Sequence, residues 1–213
     1  MKRVHFLQNM SLALFGVSTL GFANKSMKSK HPLLKSKNKK TFQLSLAQWS
    51  LNKSIRGGTL DPYDFAKIAS GFGFSGIEYV TYLYKDIYNA KYKTKAIENF
   101  VSKSLAESQK YDLDNVLIMI DGEGRLSNED ETKRQLAVEN HNVWVDAAAK
   151  LGCKAIRVNL YGTTNQQLWK ELSVKSLMSL SEHASKSNIN IVVENHGGLS
   201  SNAGLLMEVI NAV

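Results

Sequence analysis

Glu194 and His196 stand two residues apart at the end of an apolar, β-branched run, INIVVENHGG over residues 189–198. A carboxylate there can move a proton or ligate a divalent cation, and the imidazole can bind a substrate hydroxyl. Side chains alternate along a strand, so Glu194 and His196 project from one face and Asn195 from the other. In an α/β protein, a buried parallel strand delivers chemistry in this way to its carboxyl end. The competing structural roles are a strand-end carboxylate paired with a lysine and a rim histidine bonded to backbone. Gly197 and Gly198 serve close backbone approach, positive φ or a plain loop.

Other strands offer further candidates. Arg157 and Asn159 share a face of AIRVNLY (155–161), where Arg157 either binds a substrate hydroxyl or balances carboxylates in a buried ion pair. Glu78 lies within GIEYV (76–80) and either partners Arg157 as scaffold or hydrogen-bonds substrate. Asp121 opens the loop DGEG, as a residue lining the mouth of a site or as a turn carboxylate. Trp49 offers a stacking surface on the first strand, although a core position is the commoner fate of a tryptophan. His141 and His183 fall within helical stretches, away from every strand end, and receive no catalytic role. The sequence holds no nucleotide-binding glycine fingerprint, nucleophile elbow or zinc-type cysteine spacing.

These residues need a scaffold, and the patterning from Thr41 onward alternates strand and helix. Strands are expected at Phe42–Leu51, Gly76–Val80, Asn115–Ile120, Ala155–Tyr161 and Ile189–Glu194. Helices are expected after Asp61-Pro62, over Thr94–Tyr111, from Asp130 to a stop at Gly152, over Leu168–Ser185 and from Asn202. Near-continuous apolar strands separated by helices indicate a parallel sheet covered by helices. Five such units suit a five-stranded doubly wound sheet or five-eighths of a closed barrel, which would need about 250 residues.

The formal net charge of +8 invites a nucleic-acid or membrane partner until its distribution is considered. Residues 1–40 hold nine of the 27 Lys and Arg and no Asp or Glu. The remainder sets 18 cations against 19 Asp and Glu, so the body is near neutral. Residues 1–23 have the layout of a cleaved export signal: Lys2 and Arg3, an apolar run from Met10, and small residues at Gly21 and Ala23. Its apolar run is shorter than the ~20 residues that cross a bilayer, which disfavours the alternative of a membrane anchor. The start also resembles bacterial twin-arginine leaders, with Lys2 in place of the first arginine, and a Sec route stays open. Residues 24–40 read as a basic, disordered linker, and a periplasmic or extracellular location follows. Cys153 is the only cysteine, so no internal disulfide forms.

LSLAQWSL (44–51), GFSGIEYV (73–80), HNVWVDAAAKLGCKAIRVN (141–159) and IVVENHGGLSSN (191–202) together resemble the xylose isomerase-like barrel superfamily, in particular its sugar phosphate isomerase/epimerase branch. The resemblance covers residues 42–213 and implies an α/β fold, a (β/α)8 TIM barrel present as about five parallel βα units. It also implies a divalent ion held by Glu, Asp, His and Glu from the fifth to eighth strands. Mn²⁺, Mg²⁺ or Co²⁺ suits that donor set best, with Zn²⁺ next. Glu194 maps onto the first ligand and onto one acid/base group, while the other three ligands would follow Val213. The implied activity is isomerisation or epimerisation of a sugar by proton transfer next to a carbonyl, and His196, Arg157, Asn159, Glu78 and Trp49 are the residues whose types and places suit binding the sugar. Export favours an unphosphorylated sugar or glycoside. Lacking three ligands, the chain is expected to be truncated and its activity alone is open; exposed edges of strands one and five point to oligomers or aggregation. The rival readings are a non-catalytic carbohydrate-binding or scaffold barrel and an endonuclease IV-like metal-dependent phosphodiesterase, the latter disfavoured by the near-neutral body.

Overall fold

The computed structural model describes residues 42–213. The expected export signal and linker lie outside the described residues. Five parallel strands form one sheet in the order β1-β2-β3-β4-β5: Ser45–Ala47, Gly76–Val80, Asp114–Met119, Ala155–Asn159 and Asn190–Glu194. Between and after them run α1 (Asn52–Arg56), α2 (Phe65–Gly71), α3 (Lys85–Tyr88), α4 (Lys93–Lys110), α5 (Glu131–Leu151), α6 (Gln166–Ser185) and α7 (Ala203–Asn211). A doubly wound sheet reverses its strand order at a switch point; this one never does. Consecutive pairing is barrel order, and the sheet is not closed, since β1 pairs only with β2 and β5 only with β4 among the described residues.

The helix ends follow from local chemistry. Asp130, Asn165 and Asn202 cap α5, α6 and α7 by accepting backbone N–H bonds from Lys133 (3.1 Å), Leu168 (3.0 Å) and Leu205 (3.2 Å). Gly152 ends α5 in the left-handed region at φ 77°, which lets Cys153 N–H donate to the Ala148 carbonyl at 2.9 Å. Cys153 itself is buried, which pushes its thiol up to about 12.

The two faces of the sheet differ. Ile77, Tyr79, Ile118, Ile120, Ile156 and Val158 point to the helices and are fully covered. Each such burial contributes roughly 1.5–3 kcal/mol. Edge-to-face aromatic contacts link the layers, from Phe65 to Tyr79 (6.1 Å), Tyr79 to Phe100 (5.5 Å) and Phe100 to Trp144 (5.6 Å). The opposite, concave face carries Ala47, Glu78, Leu117, Met119, Arg157, Val192 and Glu194, placed in rows by the registers Ala47↔Glu78, Glu78↔Leu117, Met119↔Arg157 and Arg157↔Val192. Val192, on the edge strand β5, is 44% exposed among the described residues.

The first strand departs from the expected Phe42–Leu51 and has three residues. Gln48 is the reason. Its buried side chain accepts the Val80 N–H (3.1 Å) and donates to the Pro62 carbonyl (3.1 Å) and the Tyr84 hydroxyl (2.9 Å). That amide replaces the next ladder bond, and the chain winds into a 3-10 turn over Gln48–Leu51. Trp49 therefore lies beyond the strand and, at 44% exposure, outside the core, contrary to the commoner fate of a tryptophan. The short α1 and α3 carry too few residues for a visible periodicity.

The loops after β3 and β4 are joined by a parallel bridge between Ser127 and Gly162. A Cβ on Gly162 would lie 1.9 Å from the Ser127 carbonyl oxygen, so the two backbones would have to separate. Gly162→Ala is expected to lower stability by about 1–3 kcal/mol in urea unfolding. His141 is buried in α5, with Nδ1–H donating to the Ala137 carbonyl at 2.7 Å, and burial lowers its pKa from the ordinary value. The unfolded chain then takes up this proton first on acidification. Stability contributed by His141 is full above about pH 6.5 and is lost as pH falls toward its depressed folded value. Thermal melts of His141→Gln should lack this component below neutral pH.

Candidate active site

The carboxyl ends of the five strands surround an open cavity of about 750 Å³. β5 brings Glu194 and, just past its end, His196; β4 brings Arg157; β2 brings Glu78; Trp49, Tyr82, Asp121 and Tyr161 come from the segments that follow β1, β2, β3 and β4. Parallel strands place these loops on one rim.

Arg157 organises the polar floor. Its Nε donates to Glu194 Oε2 at 2.9 Å and its Nη1 to Asp121 Oδ1 at 3.1 Å, so one guanidinium spans β3, β4 and β5. Arg157 is 13% exposed at its side chain, which makes the fork a largely desolvated one. Asn159 Nδ2 donates to the same Asp121 oxygen at 2.8 Å. His196 Nδ1 lies 3.1 Å from the second oxygen of Glu194, and its ring meets Tyr161 edge-on at 6.0 Å. Burial, then the charges of Asp121 and Glu194, raise the Tyr161 phenol above its ordinary pKa.

Six of the seven residues singled out in the sequence, Trp49, Glu78, Asp121, Arg157, Glu194 and His196, line this cavity. Asn159 stands just behind, buried, with its Oδ1 lacking a hydrogen-bond partner among the described residues. At three residues the partnerships select among the alternatives set out above. Glu78 accepts from Ser45 Oγ at 2.5 Å across the β1–β2 pair, whereas Arg157 turns to Glu194 and Asp121. Glu194 is held by an arginine and a histidine, with no lysine involved. Asp121 lines the mouth of the cavity, its carboxylate bonded to Arg157 and Asn159, and its backbone is clamped to Thr81 Oγ1 by 2.9 Å bonds through both N–H and carbonyl. The Tyr88 hydroxyl donates to that carbonyl as well.

Glu123 escaped notice in the sequence. It is buried, ion-paired to Lys93 at 2.5 Å, and accepts the Trp144 indole N–H at 2.7 Å. It pins the loop that presents Asp121 to α5. Only its place in DGEG, between two glycines with φ 83° and 102°, hinted at an inward-turned loop.

A divalent cation needs several hard donors. Among the described residues no group of three or more His, Cys, Asp or Glu side chains is close enough to hold one. Glu194 supplies a single carboxylate, one oxygen of which already faces a guanidinium. The described residues therefore do not by themselves fit a metal ion. No helix among the described residues is long and apolar enough to cross a membrane.

No curated protein matches the chain. Solved structures do. The probable 3-DHS dehydratase AsbF from Bacillus anthracis shares 19% identity at a TM-score of 0.59, over 81% of this chain and 59% of that one. A D-tagatose 3-epimerase-like protein shares 15% identity at 0.58, over 81% and 61%. The IolI protein with a bound zinc atom shares 16% at 0.57, over 81% and 59%. The chain thus spans about six-tenths of the length of these structures, and the likeness is one of fold. The family model for the xylose isomerase-like TIM barrel matches residues 66–213, and the chain belongs to that family.

Proposed function

We propose that these five units form the substrate-binding part of an exported, metal-dependent sugar isomerase or epimerase that moves a proton next to a carbonyl. The carrying observation is Glu194, a strand-end carboxylate held between Arg157 (2.9 Å) and His196 (3.1 Å) at an open cavity. In this reading Glu194 takes the proton from the carbon beside the carbonyl and returns it. Arg157 fixes the carboxylate, His196 and Glu78 bind hydroxyl groups, and Trp49 stacks on the sugar ring. A bound divalent ion would polarise the carbonyl. Its ligands would be Glu194 and donors outside the described residues, and Mn²⁺, Mg²⁺, Co²⁺ and Zn²⁺ are the candidates. Export to the periplasm or beyond rests on Lys2, Arg3 and the apolar run ending near Ala23.

A second reading, a sugar-binding barrel without catalysis, is favoured by one observation. The Arg157 guanidinium already engages one oxygen of Glu194, the carboxylate a metal would need. The two readings part on a single measurement, exchange of the sugar's C–H proton with deuterated water followed by NMR. Glu194→Gln should reduce exchange at least 10²-fold while sugar binding persists, as expected for loss of a general base. Binding without exchange in the unaltered, metal-supplied protein would favour the scaffold instead. Arg157→Lys keeps the charge but cannot span Asp121 and Glu194 with one planar fork. It should lower kcat more than it raises KM, and cost about 1 kcal/mol of stability after solvent screening.

A further inference from the structure

A second cavity of about 590 Å³ opens on the same rim, between α1 and the segment that follows β2. Its lining includes Lys53, Arg56 and Lys85 with the amides of Asn52 and Asn89, and no carboxylate. The other cavities described all mix signs: Glu139 stands with Arg134 and Lys175, Asp61 with Lys67, and Glu78 and Glu194 with Arg157. The body carries 18 Lys and Arg against 19 Asp and Glu, so a wall of one sign is not a consequence of composition.

The wall is also built on fixed elements. Ile55, Val80 and Leu83 form a separate buried cluster that seats α1 on the end of β2. Lys85 Nζ donates to the Arg56 carbonyl at 3.2 Å, joining the two loops and leaving its other protons for a ligand. The local alternative is that these cations merely complement the carbonyl end of α1. A single helix turn does not call for three of them. Tyr82 lines both this cavity and the one that holds Glu194, so the two adjoin across one ring. One is rich in carboxylates and the other purely cationic.

We propose that the basic cavity is an anion subsite, which holds a phosphate or carboxylate carried by the same sugar whose carbonyl end lies against Glu194. The assignment of the sugar end rests on the proposed function. The anion subsite itself rests on Lys53, Arg56 and Lys85. An acidic sugar then replaces the neutral one that export alone would favour.

Calorimetric titration with glucose, glucuronate, glucose 6-phosphate and inorganic phosphate tests this. The acidic sugars should bind at least ten-fold tighter than glucose, and the larger of the two gains identifies carboxylate or phosphate as the natural group. Lys53→Gln with Arg56→Gln, two exposed side chains that form no side-chain hydrogen bond among the described residues, should remove the gain and leave glucose binding unchanged. Added sodium chloride should weaken the acidic sugars alone in the unaltered protein. Equal binding of acidic and neutral sugars, or an unchanged gain in the double variant, overturns the subsite. Saturable phosphate binding that survives Glu194→Gln, without sugar proton exchange in the unaltered protein, sinks the isomerase reading and keeps the subsite. Exchange without preference for an acidic sugar does the reverse.

Discussion

Arg157 is the interaction on which the site depends. A guanidinium presents donors in a rigid plane, and here two of them reach carboxylates on either side, Asp121 after β3 and Glu194 at the end of β5. Removing any one member would leave a charge near the sheet with its partner missing, a larger penalty than the pair's net gain. The bridge crosses three neighbouring strands, so it also reports that they lie in register: Met119 faces Arg157, and Asn159 faces Glu194.

Around that bridge the support is layered. Asp121 is positioned through its backbone by Thr81 and Tyr88, and its loop is pinned by Glu123 to Lys93 and Trp144. Trp144 belongs to the aromatic chain that joins the helices to the outer face of the sheet. The carboxylate that faces the cavity is thereby connected, through Arg157 and Asp121, to the buried Thr81, Glu123 and Trp144. On the cavity side the walls are open and aromatic, with Trp49, Tyr82 and Tyr161 each about half exposed. A rigid polar floor under exposed aromatic rings suits a ligand with both hydroxyls and an apolar ring face.

Most of the fold was legible because it is written in local signals. Asp130, Asn165 and Asn202 are caps whose side chains need only the next few residues, and Gly152 takes a conformation open to few others. The apolar runs of β2 to β5 are nearly continuous, interrupted on the cavity face by Glu78 and Arg157, as expected of parallel strands packed under helices. β1 was misjudged in extent since its end is set by Gln48 reaching Val80 and Tyr84, 32 and 36 residues away. Trp49 followed it out of the strand.

The sequence by itself determined the alternation of strands and helices, the strand-end position of Glu194 and His196, and the common face of Arg157 and Asn159. Each of these follows from a period of two or from a motif within ten residues. Only the tertiary structure decided which partner each charge takes. Glu78 went to Ser45 and Arg157 to Asp121 and Glu194, and Glu123 was drawn inside by Lys93 and Trp144. Such choices depend on strand order, register and desolvation, which bring together residues 21 to 37 positions apart, and no local pattern encodes them.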